Sequence, residues 1–291
     1  MKTTLTAAIL MAAFATSAYA QTLVTVNGEK IDSSAIDAQV QLIAQQSQGQ
    51  VQDNQQLRAG LLNRMVTQTL VNQEAKKLKL EQSAAYKDAL DKSKEAAKKQ
   101  GADKQVNFKQ QFAAYERDLL SDTYMYHVVN QNPANDADAQ KFYDEYKARY
   151  KGTDEVKLSE IFVSTEADAK AVVADLKKGQ KFAAVAKAKS IDGAAKQTGG
   201  MNPRYMPLKD LQESAPLVYG AVSKLKKGQS SQAVSAQNIW AVFNVDDKRA
   251  VDVPEFAKMK PAILNQLNNE RINNAIGQLY QKADIKQERK L

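Results

Sequence analysis

Cysteine is absent from this sequence of 291 residues, and histidine occurs once, as His127. Without cysteine the chain forms no disulfide bond and offers no thiolate nucleophile. Zinc sites are built from clustered cysteines and histidines, so we expect no metal site. The sequence also contains no P-loop, no G-x-G-x-x-G and no G-x-S-x-G motif, so we expect no cofactor and no serine hydrolase.

The single histidine is not a strong candidate for a catalytic group. His127 lies in the segment DTYMYHVVNQ, where aromatic and apolar residues recur at helical spacing. This pattern indicates a structural imidazole on a packed helix. The residue inventory therefore favours a protein that binds another chain over a hydrolase, kinase or dehydrogenase that attacks a bond.

Long hydrophobic runs are also scarce. The most apolar run, residues 5–14, is shorter than the roughly 20 residues that a bilayer-spanning helix needs. Lys2 precedes this run, and the small residues at 17–20 end in an A-x-A pattern. The arrangement predicts a cleavable secretory signal peptide over residues 1–20. We therefore expect an exported protein without a stable membrane anchor.

Acidic residues are outnumbered, with 33 aspartates and glutamates against 41 lysines and arginines, for a net charge of +8. Removal of residues 1–20 takes away one lysine, Lys2, and leaves a net charge of +7. Positive charge favours acidic client chains, anionic lipid or nucleic acid as partners. Nucleic acid is the least expected of these for an exported protein, and we predict that the chain binds none.

Apolar stripes at helical spacing occupy both ends of the chain. Leu57, Leu61 and Met65 belong to one such stripe, and further helices are predicted over 83–100, 108–130, 137–150 and from Pro254 onward. The opening TLVTVNGEKI predicts a hairpin that turns at Asn27-Gly28. Residues 152–250 instead predict the order β-α-α-α-β-β, with a turn-rich stretch over 190–207.

These patterns predict an α+β protein. We expect a signal peptide at 1–20, an N-terminal helical domain at 21–151, a small α+β domain at 152–250, and a C-terminal helical segment at 251–291. The apolar stripe of the last helix needs a partner, and the N-terminal helices are the simplest one. The helical domain is therefore predicted to be discontinuous, with the α+β domain inserted into it.

Motifs in the inserted segment follow the order of a known family. LSEIFVSTEADAKAVVADLKKGQKFAAVAKAKS contains an opening strand, a first helix and a short G-x-x-F-x-x-x-A helix. Asp192 precedes Gly199-Gly200, and LKKGQSSQAVSAQNIWAVFNVDDKR contains an L-K-x-G-[EQ] turn and two strands. The segment resembles a parvulin-type peptidylprolyl isomerase domain. The whole chain resembles the periplasmic parvulin-type chaperone-isomerases, the PpiC, SurA and PrsA-like group, and most closely the cell-binding-factor type.

The resemblance implies a site whose residues partly depart from the family pattern. Glu160 and Trp240 stand where the family has histidines, and Asp192 stands at its acidic or cysteine position. By resemblance these three are the catalytic positions. The implied substrate-binding residues are Met201, Tyr205, Met206, Leu217 and Tyr219, with Phe243 as a further candidate. Core packing is an equal alternative for Leu217 and Phe243, and helix or turn capping is the alternative for Asp192.

Loss of both imidazoles predicts an exported folding factor that binds unfolded or proline-containing polypeptides and has weak or no isomerase activity. One alternative is an active peptidylprolyl cis-trans isomerase for exported or outer-membrane proteins. Another is a surface-exposed adhesion or interaction protein. The resemblance implies a periplasmic location, with surface association left open. It also implies a homodimer, in which exchange of helices between two chains would cover the long apolar stripes.

Overall fold

The computed structural model describes residues 21–48, 50–105, 108–236 and 238–290. The predicted signal peptide, residues 1–20, lies outside these described residues. None of the helices in the described ranges is long and apolar enough to cross a membrane. The chain divides into two compact units, one formed by Met1–Ala134 and Gln266–Leu291 and the other by Asn135–Asn265.

The strands, in chain order, are β1 (Thr22–Val26), β2 (Glu29–Asp32), β3 (Asp154–Val163), β4 (Met201–Pro207), β5 (Val234–Ala236), β6 (Ile239–Ala250) and β7 (Ile285–Gln287). The helices are α1 (Ser33–Gln46), α2 (Gln55–Lys77), α3 (Ala84–Lys99), α4 (Phe108–Gln131), α5 (Asp136–Tyr150), α6 (Glu166–Lys177), α7 (Phe182–Lys189), α8 (Gly193–Thr198), α9 (Leu208–Ser214), α10 (Pro216–Val222) and α11 (Phe256–Lys282). Short 3-10 turns lie at Leu80–Gln82 and Ala102–Lys104.

The first unit contains a three-stranded antiparallel sheet of order β2-β1-β7. Asn27 and Gly28 connect β1 to β2 with φ angles of 50° and 85°, as a type I′ turn requires. The predicted hairpin is therefore confirmed. Strand β7 was not predicted, because its three residues are all exposed and show no apolar alternation. It forms through its pairing with β1, which is remote in sequence.

The apolar stripe predicted for α2 is confirmed and forms the core of the first unit. Asn54 caps this helix by accepting a hydrogen bond from the Leu57 backbone N–H at 2.9 Å. In the C-terminal segment, Leu279 of α11 packs against the core residues of the N-terminal segment. The helical unit is therefore discontinuous in sequence, as predicted. The buried residues of α2 in this core are Leu61, Leu62, Val66 and Leu70.

The second unit is built on a four-stranded antiparallel sheet of order β4-β3-β6-β5. Strands β3 and β6 pair from Asp154↔Ala250 to Val163↔Trp240. Alternate residues of β3 point to opposite faces of the sheet. One face, here called the α9–α10 face, packs Val156, Leu158, Phe243 and Val245 against α9 and α10. The other, the α6–α7 face, packs Ile161, Val163 and Val242 against α6 and α7.

The stretch 190–207, predicted as turns, contains the helix α8 and the strand β4. The predicted order β-α-α-α-β-β therefore lacked one strand and two short helices. Strand β4 carries Pro203 and has no buried residue and no regular alternation of exposure, so no periodic signal marked it. The proline is tolerated because β4 is an edge strand, which needs hydrogen bonds on one side only.

Helix α5 belongs to the second unit. The Tyr143 hydroxyl donates to the Pro254 carbonyl oxygen at 3.0 Å. Arg149 Nη2 and the Tyr150 hydroxyl both donate to Asp210 Oδ1, at 2.9 and 2.8 Å. These contacts join α5 to α9 and to the segment between β6 and α11, whereas the domain limit predicted from the sequence lies after α5, at residue 151.

Candidate functional site

The double glycine Gly199-Gly200 leads from α8 into β4 and holds this connection against β3. Both residues have positive φ angles, 74° and 84°, which glycine adopts without strain. The Gly200 carbonyl oxygen accepts from the Glu160 backbone N–H at 2.9 Å. A Cβ on Gly200 would lie 2.5 Å from the Glu160 carbonyl oxygen, and one on Gly199 would lie 2.7 Å from Ala183 Cβ. Neither position has space for a side chain.

Glu160 lies on the α9–α10 face of the sheet. Along β3 it stands between Leu158 and Phe162, and it is opposite Phe243 in β6. The side chain is half-buried. The backbone contact with Gly200 and the pairing with β6 therefore present a carboxyl group at the border of an apolar core.

Burial raises the pKa of the Glu160 carboxyl. The negative charge of Asp192 raises this pKa further, and a hydrogen bond with the Asn202 side chain lowers it. Two carboxyl groups and an amide thus share this site. A protonated Glu160 has an O–H that can donate a hydrogen bond, which an ionised carboxylate lacks.

The position of Asp192 is set by hydrogen bonds to backbone groups. Its Oδ1 accepts from the Ala195 N–H at 2.6 Å and caps the first turn of α8. Ser190, whose side chain is fully buried, accepts from the Phe162 N–H at 3.2 Å and the Asp192 N–H at 3.3 Å. Asp192 therefore has the capping role that was the predicted alternative, and it also acts electrostatically on Glu160.

The structure does not bring Trp240 to this group. Trp240 is opposite Val163 and packs with the core of the α6–α7 face. Glu160 is on the opposite face, because it is an odd number of residues from Val163 along β3. The family resemblance implies a histidine position for both residues, but only Glu160 lies beside Asp192.

The predicted substrate-binding residues are likewise divided between the two faces of the sheet. Met206 and Tyr219 are half-buried and pack against the core of the α9–α10 face, where Phe243 is buried. Met201 and Leu217 are 49% and 57% exposed. An apolar wall of Met206 and Tyr219, with the exposed Leu217 on α10, is thus available on the face that carries Glu160. Met201 is opposite Ser159 in β3 and is therefore on the other face of the sheet.

Tyr205 belongs to a polar cluster on the α6–α7 face, opposite Lys157. Its hydroxyl donates to Asp247 Oδ2 at 2.5 Å, and the Arg249 guanidinium lies 3.8 Å from its ring centroid. Hydrogen bonds from Tyr205 and Lys227 lower the pKa of Asp247 to about 2. The role of Tyr205 in this structure is therefore to tie β4 to β6.

Two polar residues of the site were missed by the sequence analysis. Asn202 follows Gly200 by two residues, and Ser190 precedes Asp192 by two residues. Their closeness in sequence to the double glycine and to Asp192 was the available signal. Their partners, Glu160 and Phe162, lie on β3, so only the folded sheet identifies the contacts.

Each of the two units contains a region that matches a known protein family. Residues 134–261 match the family described as the PPIC-type PPIASE domain, and residues 3–119 match the SurA-like N-terminal domain. A Bordetella pertussis protein named a probable parvulin-type peptidyl-prolyl cis-trans isomerase is 29% identical over 273 residues, 93% of this chain and 95% of that protein. Cbf2 of Campylobacter jejuni is 28% identical over 288 residues, 95% of this chain and 94% of its own.

Among solved structures, one from a study of the Campylobacter jejuni SurA-like chaperones PEB4 and Cj1289 is 26% identical, covers 90% of this chain and 96% of its own, and has a TM-score of 0.34. The two domain matches follow one another along the chain, and the curated relatives span nearly all of it. The chain therefore combines a SurA-like N-terminal domain with a PPIC-type PPIase domain, and over nearly its full length it is similar to parvulin-type peptidyl-prolyl isomerases.

Proposed function

We propose that the chain is an exported folding factor that binds unfolded polypeptides, and that its PPIC-type domain has weak or no prolyl isomerase activity. The observation that carries this proposal is the composition of the site. Glu160 stands beside Asp192 and Asn202, where the family pattern has an imidazole. The only histidine of the chain, His127, belongs to α4 of the other unit.

The residues of the site support binding of a polypeptide more clearly than catalysis of its isomerisation. Rotation about a peptide bond crosses a barrier of about 18–20 kcal/mol, and no covalent step is required to lower it. An enzyme does so by binding the twisted amide more tightly than the planar one. The apolar wall of Met206 and Tyr219 supports binding of a proline or apolar side chain. A carboxyl group at Glu160, which repels Asp192 when both are ionised, is a poor replacement for the imidazole that the family has at this position.

The test is a prolyl isomerisation assay on residues 21–291, run beside an aggregation-suppression assay with an unfolded client. We expect suppression of aggregation without catalysis above background. A kcat/KM above about 10⁴ M⁻¹s⁻¹, the range of ordinary enzymes, would overturn the proposed loss of activity. Failure to suppress aggregation would overturn the folding-factor assignment for the mature chain.

An active isomerase is the second candidate function, and the raised pKa of Glu160 is the observation that favours it. A protonated Glu160 could donate a hydrogen bond to Asp192 or to a substrate carbonyl. Activity that depends on this proton would fall as the pH rises through the Glu160 pKa. In that case Asp192→Asn, which retains an oxygen for the cap of α8, should abolish the activity, and so should Asp192→Ala.

Export to the periplasm is part of the proposal and rests on the sequence of residues 1–20. N-terminal sequencing of the protein recovered from a periplasmic fraction should begin at Gln21. Labelling of intact cells with a reagent that does not cross the outer membrane distinguishes the surface-exposed alternative. Strong labelling would favour an adhesion or interaction protein, and its absence would favour a periplasmic one.

We also propose that the mature protein forms a homodimer. The exposed apolar side chains of the first unit support this, including Leu42, Leu78 and Tyr126, which are 41%, 43% and 66% exposed. Exchange of helices between two chains is one way to cover them. A mass measurement in solution should give twice the chain mass, and a strict monomer at micromolar concentration would exclude the proposal.

A further inference from the structure

A groove lies at the edge of the sheet on the α6–α7 face, beside Trp240. Two adjoining cavities of about 370 and 200 Å³ share Val173, Lys177 and Gln232 among their lining residues. Helix α6 forms one wall, and the chain that leads into β5 forms the other. Trp240 and Ala233 are apolar residues at the larger cavity. This groove is separate from the Glu160 group, which is on the opposite face of the sheet.

The helical wall of the groove is a single stripe of α6. Residues 166, 170, 173, 174 and 177 line it at the i, i+3, i+4 spacing of one helix face. Glu166 and Lys170 form an ion pair of 2.7 Å, and their opposite charges sum to zero. The charged residues of the two cavities are these two and Lys177, so the groove has one excess positive charge, at Lys177. A ligand of complementary charge is acidic.

The other wall of the groove ends in an exposed sheet edge. Strand β5 pairs with β6 on one side only. The Ser231 N–H donates to the Phe243 carbonyl oxygen at 2.7 Å, so the backbone groups of Phe243 point away from β3. Backbone groups alternate in direction along a strand, and Trp240 is three residues from Phe243, so the backbone groups of Trp240 point toward β3. Ser235, opposite Trp240, accordingly directs its N–H and C=O outward. An unpaired edge of this kind accepts an added strand.

We propose that this groove is a second polypeptide-binding site, specific for extended segments in which acidic and apolar residues alternate. The segment adds to the edge at β5, places an apolar side chain against Trp240, and places an acidic side chain near Lys177. This proposal rests on the proposed client-binding function. It assigns part of that function to the groove beside Trp240 and to client segments in which acidic and apolar residues alternate. Isomerisation has no part in it, because the groove does not contain Glu160 or Asp192.

Trp240 is the only tryptophan of the chain, so its emission reports directly on this groove. The probe is a short synthetic peptide without tryptophan, in which glutamate alternates with valine around a central phenylalanine. The control peptide has lysine in place of each glutamate. We expect a saturable change of Trp240 emission with the acidic peptide and none with the lysine peptide. Equal responses to both peptides, or no response to the acidic one, would overturn the proposal.

A matched pair of surface variants tests the role of charge. Lys177→Glu should weaken binding of the acidic peptide about fivefold, the size expected when one solvent-exposed charge contact is lost. Lys187→Glu makes the same charge change on α7, outside the groove, and should leave the dissociation constant unchanged. Equal weakening in both variants would mean that binding follows net charge alone, which contradicts a site at this groove.

The same measurements separate this inference from the proposed function. If the protein suppresses client aggregation but Trp240 emission does not respond to the acidic peptide, the groove proposal fails and the folding-factor function stands. If the protein does not suppress aggregation, the proposed function fails, and a saturable, charge-specific response of Trp240 still supports a peptide site at this groove.

Discussion

Among single residues, Glu160 has the most informative surroundings, because it is a half-buried carboxyl group beside a second carboxylate. Its raised pKa affects both candidate functions and the stability of the domain. The ionised form is disfavoured in the native state first by burial and then by the charge of Asp192. Each of these effects disappears when the chain unfolds, so the residue links stability to pH.

We expect Glu160→Gln to stabilise the protein at neutral pH. A group whose pKa is raised by folding contributes stability that is fully present below its unfolded pKa and is lost as the pH rises through its folded pKa. Glutamine has no such dependence and can still hydrogen-bond to Asn202. The melting temperature of the variant should exceed that of the wild type at about pH 7, and the difference should disappear by about pH 4.

Thermal unfolding over a series of pH values checks this expectation. Glu95→Gln, the same chemical change at an exposed position of α3, is the control for the loss of one negative charge and should change the melting temperature little. A variant at Glu160 that is less stable than the wild type at neutral pH would show that the ionised carboxylate is held by favourable contacts. That result would contradict the electrostatic account of the site.

Glycine at position 200 is required by geometry. We expect Gly200→Ala to destabilise the protein by about 2 kcal/mol or more, because alanine is strained at positive φ and its Cβ would overlap the Glu160 backbone. Gly60→Ala in α2 is the matched control, since its Cβ meets nothing within 4 Å. It should stabilise the helix by about 0.5–1 kcal/mol. Denaturant unfolding measures both, and the two changes should have opposite signs.

Among the secondary-structure elements, the short helix α8 connects structure to function, because Asp192 caps it. Asp192→Ala should cost about 1 kcal/mol of folding free energy through loss of this cap. Asp192→Ser and Asp192→Asn retain a capping oxygen and should cost only a few tenths. Chemical denaturation of the three variants gives these values directly. Equal losses in all three would mean that the charge of Asp192, and not its hydrogen bond, stabilises α8.

This result determines how the isomerase assay is read. A loss of activity in Asp192→Ala alone would reflect the unfolding of α8 and the displacement of the double glycine that follows it. A loss that also occurs in the well-capped Asp192→Asn would reflect the missing negative charge. The same Asp192 variants therefore test both the stability of α8 and the role of the Asp192 charge in activity.

At the scale of the whole molecule, the second unit has its own sheet and two cores, so residues 135–265 should fold without the rest of the chain. We expect this fragment to unfold cooperatively and to be more stable than the fragment 152–250. The shorter fragment lacks α5 and its contacts of Arg149 and Tyr150 with Asp210, and of Tyr143 with Pro254.

Circular dichroism melting curves of the two fragments provide the comparison. A third fragment, 135–265 with Asp210→Asn, removes the charge that Arg149 and Tyr150 share while it retains α5. Its stability should lie between those of the other two. If 152–250 were as stable as 135–265, α5 would not be part of the folding unit, and the domain limit predicted from the sequence would hold.

The features that the sequence determined by itself depend on local patterns. The apolar spacing of α2, the Asn27-Gly28 turn and the long C-terminal helix were all predicted from neighbouring residues, and the structure has them. Apolar periodicity and positive φ are properties of a few adjacent residues, so they can be read without the fold. The family resemblance depends on the same local motifs.

Tertiary structure alone decided which residues meet. The family resemblance assigned Trp240 to the site, but its pairing with Val163 places it on the other face of the sheet, because successive side chains of a strand point to opposite faces. Strands β4 and β7 carry no periodic signal and form because a distant strand offers unpaired backbone groups. The raised pKa of Glu160 likewise arises from burial and from Asp192, which is 32 residues away in sequence. Register and burial are properties of the folded chain, and they determine the site.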